Sequence, residues 1–173
     1  MTIENFNRTI DIWIKALEGY DYHQLTARPS PTSWSIGQVY MHLFDDTSYY
    51  IEQIQVCVTT NDHASDQATP EGKIMLLNND FPDEMLEGSP TNAFMPQPES
   101  KEQLMSDLLN LKAAMNNAAD LISESPFHGK AKHPGLGYFS AYEWLQFADM
   151  HLRHHLRQKK RIDTFLEGIK SNT

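Results

Sequence analysis

The sequence predicts an all-α fold: a four-helix bundle with long connections between its helices. Three observations point there. Four stretches repeat their apolar residues at helical spacing, and no stretch of comparable length alternates as a strand does. Proline and glycine gather between those stretches rather than inside them. The 173 residues are enough to bury one core without disulfides or another staple, and residues 1–173 read as a single domain with no repeat or dividing linker.

The first helix is expected from Ile3 to Glu18, with Ile3, Phe6, Ile10, Trp13, Ile14 and Leu17 on one face and Gly19 as its stop. Pro29 and Pro31 then mark a turn. Ser35 and Gln38 have the spacing of a capping box, so the second helix should begin near Ser35 and run to about Val58. Its stripe is Ile36, Val39, Tyr40, Leu43, Thr47, Tyr50, Ile51 and Ile54. Residues 60–98 form a long connection, broken by Pro70, Pro82, Pro90, Pro96 and Pro98 with Gly72 and Gly88, and leave room for a short helical turn from Lys73 to Asn78. A connection this long in a compact domain usually covers a site. The third helix starts at Ser100, with Gln103 as its box partner, and runs to about Ser123 on a stripe of Leu104, Leu108, Leu111, Met115, Ala118 and Ile122. A loop containing Pro126, Gly129, Pro134, Gly135 and Gly137 leads to the last helix, expected from Ser140 to Leu166.

Charge and composition narrow the function. The formal net charge is −9, from 14 Lys and Arg against 23 Asp and Glu, which opposes the concentrated basic surface that nucleic-acid binding needs. The basic cluster Arg153, Arg157, Lys159, Lys160 and Arg161 spreads around a helix near its C-terminus, where cations suit the helix dipole. No apolar run is long enough to span a membrane, and MTIENFNRTI lacks the pattern of a signal peptide, so no membrane partner and a cytoplasmic location are expected. Cys57 is the one cysteine and lies among Tyr50, Ile51, Ile54 and Val58, as a small core residue would.

The chemistry concentrates in histidine. Of eight, three crowd into one turn: His151, His154 and His155. At about 100° per residue, Ala141, Trp144, Leu145, Ala148, Leu152, Ile162 and Leu166 define the core arc of the last helix. His155 falls near the centre of that arc and His151 just off its edge, whereas His154 projects toward solvent. Two imidazoles at i and i+4 can chelate one metal ion. They can equally be core histidines satisfied by hydrogen bonds, and spacing leaves both readings open. His42, on the flank of the second helix, is the natural third ligand. Asp46, one turn later, could orient the His42 ring from outside the ligand set, or be a surface carboxylate like Asp45. His23, His63, His128 and His133 fall in loops, where surface positions are expected.

The segment Trp34-Ser35-Ile36-Gly37-Gln38-Val39-Tyr40-Met41-His42-Leu43 resembles the second-helix motif of the DinB superfamily. Glu143-Trp144 followed by His151, His155 and Gln158 resembles its C-terminal motif, and His133-Pro134-x-x-Gly137 is similar to the loop before that helix in several branches. The resemblance extends helix by helix over essentially the whole chain. It implies an up-down-down-up bundle, usually a homodimer, with a divalent metal held by His42, His151 and His155. It also implies kinship with thiol-dependent transferases and a thiol-dependent isomerase.

Three histidines would leave an open coordination position, where a metal lowers the pKa of water or a thiol. The leading expectation is therefore a metal-dependent transferase or hydrolase acting on a small electrophile, with a low-molecular-weight thiol as partner. Zinc and nickel are the expected ions, although three neutral imidazoles also suit iron and copper. No catalytic base stands out; Asp46 and His154 are the candidates around the ligands. The alternative is a non-catalytic binding or structural bundle without tightly bound metal. A DNA-associated role is disfavoured by charge.

Overall fold

The computed structural model describes residues 3–82 and 94–170. Gly88 and Pro90, two of the expected breaks in the long connection, lie outside the described residues. Among those residues are six helices and one two-stranded sheet: α1 (Ile3–Glu18), α2 (Tyr22–Thr26), α3 (Ile36–Cys57), α4 (Pro70–Asn78), α5 (Lys101–Glu124), β1 (Lys130–His133), β2 (Gly137–Ser140) and α6 (Ala141–Lys170). The fold is mostly helical, as expected, but not purely so.

Local chemistry sets the helix boundaries. Ser35 caps α3, its hydroxyl accepting from the Gln38 N–H while the Gln38 side chain accepts from the Ser35 N–H, so the expected box forms in full. At α5 the Ser100 hydroxyl accepts from the Gln103 N–H, but the Gln103 amide turns forward to donate to Asp107 at 2.7 Å. α4 opens three residues earlier than expected because Thr69 caps it and Pro70, which lacks an N–H, fits a first helical turn. Asn79 ends it in the left-handed region at φ 53°. The five-residue α2, too short to show a period, is fixed by its own capping box between Asp21 and Gln24.

The four long helices share one core. α3 packs on both α5 and α6, and α1 packs on the same two helices. Phe6, Ile10, Trp13 and Leu17 of α1 are fully buried, as are Leu43 and Ile54 of α3 and Trp144 of α6. Hydrogen bonds between buried polar groups tie this core together. Asp149, 2 % exposed, accepts from Thr9 Oγ1 at 2.6 Å and from Arg153 Nε at 2.9 Å, joining α1 to α6. Trp13 Nε1 donates to the Leu152 carbonyl and Tyr40 Oη donates to the Trp13 carbonyl. Trp13 and Phe147 are core residues, and Phe165 is only partly buried. Cys57 is 1 % exposed, and burial pushes its thiol up to about 11.

One stripe of α6 fastens the end of α4. Gln146 Nε2 donates to the Leu76 carbonyl and Arg153 Nη2 to the Asn79 carbonyl, both at 2.8 Å, while Arg157 reaches Asp80 at 3.0 Å. Two members of the basic cluster therefore hold the connection down, and Lys159 pairs with Asp163 within the helix. Among the described residues no helix is long and apolar enough to cross a membrane.

The loop before α6 is a hairpin in which Ala131 pairs with Phe139. A segment of the long connection joins it: Thr69 N–H donates to the Leu136 carbonyl and Tyr138 N–H to the Gln67 carbonyl. Gly137 sits at this crossing with φ +81°, and a Cβ there would lie 2.7 Å from the Gln67 carbonyl oxygen. Gly135, two residues earlier, has open space around it. Gly137→Ala should therefore cost about 2 kcal/mol or more from backbone strain and collision, lowering the melting temperature by roughly 4–8 °C for a domain of this size. Gly135→Ala should stay within about 0.5 kcal/mol. Thermal unfolding followed by circular dichroism checks both, and equal shifts would contradict the crossing.

Candidate metal centre

α3 and α6 lie side by side, and each turns histidine toward the other. His42 projects from α3, while the i, i+4 spacing puts His151 and His155 on one edge of α6. The three Nε2 atoms converge: His42 to His151 is 3.1 Å, His42 to His155 is 3.2 Å and His151 to His155 is 3.1 Å. His42 is 4 % exposed and His151 is 5 % exposed, with His155 only half-buried. The expected order of burial on α6 is thus reversed. His151 is the deep residue because Tyr50 and Phe81 both close over it, their rings 5.6 and 6.0 Å from its own.

These distances pose a problem in hydrogen bonding. Each neutral Nε2 is either a donor or a bare lone pair. Three mutual neighbours cannot alternate the two roles, so at least one contact sets like against like. Making one ring cationic adds a donor but buries a charge, which burial resists here: His42 is held down to about 3 and His155 to about 4, and His151 is also pushed well below 6.5. A cation between three lone pairs satisfies every contact at once. Nitrogens each about 2.0–2.1 Å from one ion, at angles between octahedral and tetrahedral, stand about 2.9–3.4 Å apart, and the observed separations fall in that range. The residues fit a metal ion, and His42, His151 and His155 could hold one.

Their surroundings orient the rings. His155 Nδ1 lies 2.8 Å from Gln158 Oε1, an atom that can only accept, so the His155 proton sits on Nδ1 and its Nε2 lone pair faces the other two histidines. Nδ1 of His42 and of His151 are buried without hydrogen-bond partners, and packing holds those rings instead. Trp34 tilts against His42 with centroids 5.2 Å apart, and Tyr50 meets His151 edge-on.

Several expected residues take different places. Asp46 does not support the His42 ring from behind at Nδ1. Its Oδ2 lies on the converging side, 3.5 Å from His42 Nε2 and 3.4 Å from His151 Nε2, and it accepts from Tyr50 Oη at 3.4 Å. Burial pushes Asp46 up to about 6, while the exposed Asp45 points elsewhere. His154 stays outside the triad but does not reach solvent freely: it is half-buried, with Phe81 5.1 Å away. His133 is half-buried as well, between Trp144, Phe139 and Phe147, and burial lowers it to about 4. His63 keeps an exposed position, paired with Asp66 at 2.8 Å. Tyr50 and Phe81 were not foreseen as site residues. Tyr50 carried a signal, since it continues the i, i+4 series from His42 through Asp46. Phe81 carried none.

A family model described as the DinB superfamily matches residues 5–158, a span that begins in α1 and ends on Gln158. The chain belongs to the DinB superfamily. Comparison with curated proteins and with solved structures gives no match. The DinB match takes in all three converging histidines and the hairpin before α6.

Buried neutral imidazoles give this DinB chain a defined response to acid. A histidine titrates near 6.5 when unfolded, and His42, His133 and His155 titrate at about 3 to 4 when folded, with His151 also low. The unfolded chain therefore takes up protons first. The stability these groups contribute is complete above pH 6.5 and is lost as pH falls toward 4. Asp46, raised, acts with the opposite sign between about 4 and 6, but it is one group against four. Each histidine adds a slope of up to about 1.4 kcal/mol per pH unit in its window. With a chelator present, the melting temperature should fall steadily from pH 7 to pH 5. A flat profile would contradict neutral burial.

Proposed function

We propose that this chain is a metal-dependent enzyme acting on a small electrophilic substrate, either a transferase whose second reactant is a low-molecular-weight thiol or a hydrolase whose second reactant is water. One observation carries the reading: three Nε2 atoms, two of them on buried residues, meet at distances that hydrogen bonding leaves unsatisfied and a single ion resolves. His42, His151 and His155 are the proposed ligands, and zinc or nickel the proposed ion. A divalent ion held by three histidines lowers the pKa of water or a thiol in its remaining position, which supplies a nucleophile at neutral pH. The chain's own part is to hold three neutral lone pairs in place, with Gln158 fixing the tautomer of His155 and the rings of Trp34, Tyr50 and Phe81 packed against the imidazoles. Family membership supports the same reading, together with an up-down-down-up four-helix topology in one domain, a homodimer and a cytoplasmic location.

The test separates this from a bundle whose histidines are merely structural. Protein purified without a nickel column should carry about one equivalent of metal by elemental analysis. His151→Ala and His155→Ala should each lower metal affinity by more than about a hundredfold, beyond what loss of an outer partner costs, with helical content retained. His154→Ala should bind normally. Metal at a hundredfold above its Kd stabilises by about 2.7 kcal/mol, so at pH 7.5 a chelator should lower the melting temperature by roughly 5–10 °C. At pH 5.5 protons compete for the same nitrogens and the chelator effect should vanish. If melting at neutral pH is the same with metal and after its verified removal, the histidines are structural.

A further inference from the structure

Along one edge of α3, His42, Asp46 and Tyr50 follow one another at intervals of four residues, so their side chains form a ladder. Its lowest rung is a proposed metal ligand. Its middle rung is a carboxylate whose Oδ2 stands 3.4 and 3.5 Å from two of the three converging nitrogens, on the side where their lone pairs meet. Its upper rung, Tyr50, donates to that same oxygen. Tyr50 is itself immobilised: its ring stacks on Trp144 at 5.6 Å and meets Phe147 and His151 edge-on. The immobilised tyrosine thus offers the carboxylate a fixed, long hydrogen bond of 3.4 Å on the side of the histidines. The Asp46 side chain is 36 % exposed, whereas those of His42 and His151 are 6 % and 7 % exposed, so Asp46 stands between the nitrogens and solvent.

We infer that Asp46 is a ligand-selecting residue: it faces the position beside the three histidines, admits neutral ligands that can donate a hydrogen bond, and repels anions. The inference rests on the metal reading proposed above and deepens it by naming the class of molecule the open position takes. A carboxylate oxygen a few ångströms from a bound anion opposes it through like-charge repulsion, which is strong in a site largely shielded from water. The same oxygen is an acceptor for the O–H or S–H of a neutral ligand, and such charge-assisted hydrogen bonds are among the stronger ones. Water, alcohols and thiols qualify, because each would enter with a proton for that oxygen to accept. Carboxylates, halides and azide do not.

Cobalt(II)-loaded protein gives a direct readout, because its visible absorption changes when a ligand enters the coordination sphere. The wild-type chain, Asp46→Asn and Asp45→Asn are titrated with sodium azide as the anion and with imidazole as a neutral ligand, at pH 7.5. Asp46→Asn preserves shape and removes the charge. Asp45→Asn removes the same charge from an exposed neighbour. Azide should bind Asp46→Asn at least about tenfold more tightly than wild type, with imidazole changed less than about threefold and Asp45→Asn unchanged for both. Equal azide affinity in wild type and Asp46→Asn overturns the inference and leaves the metal reading intact. An equal gain in Asp45→Asn overturns it too, since net charge and not position is then responsible. Loss of cobalt from Asp46→Asn overturns it by making the carboxylate a ligand. No cobalt bands in the wild-type chain overturns both this inference and the metal reading.

Discussion

Three imidazole nitrogens that all face one another have no distribution of protons that suits every pair. That constraint organises the molecule around the contact between α3 and α6. Two helices bearing histidine at the same level would separate slightly, or rotate, if the rest of the structure allowed it. Here it does not: α5 packs on both helices, α1 packs on α5 and α6, and Trp13, Tyr40 and Leu152 are tied across the core by hydrogen bonds. The bundle thereby keeps in register a cluster that would relax if left alone, which is how preorganised sites are commonly built.

The supporting parts act at different distances. Nearest are the rings of Trp34, Tyr50 and Phe81, which settle how the imidazoles are turned. Behind them the hairpin presses Phe139 and His133 against Trp144, on the helix that carries two of the three histidines. Farther out, Asp149 and Arg153 link Thr9 of α1 to the end of α4, so the backbone that brings Phe81 to the site is anchored in the core. A buried carboxylate bonded on two sides is costly to break, because losing one partner leaves the charge exposed to an apolar interior.

Much of this could be read in the sequence, for physical reasons. Long helices repeat their apolar residues enough times to reveal a period, and Ser35 and Ser100 announce where two of them begin. The pairing of His151 with His155 followed from helical spacing alone. What escaped was either short or dependent on contacts from afar. Strands of four residues give two alternations at most, so β1 and β2 left no pattern. The core arc of α6 averages neighbours along its whole length: near His151 the helix meets α3 and Phe81, while near Lys159 and Asp163 it meets Tyr20. That average misplaced the deeper histidine. Helical spacing puts Asp46 beside His42 but does not say which ring nitrogen it meets, because a helical wheel gives a direction and the ring's rotation decides the rest.

Cys57 has no part in the site, yet its position makes it informative. The chain has one thiol, packed between α3 and the hairpin with its S–H directed at the Phe139 carbonyl at 3.5 Å. Burial keeps it protonated at neutral pH, and the protonated form does not react with alkylating reagents. Labelling must wait for the hairpin to lift away from α3, so its rate measures how often that happens. The hairpin runs straight into the helix bearing His151 and His155. One mass-spectrometric label at Cys57 thus becomes a clock for the opening of the structure beside the histidines, set by the unmodified protein itself.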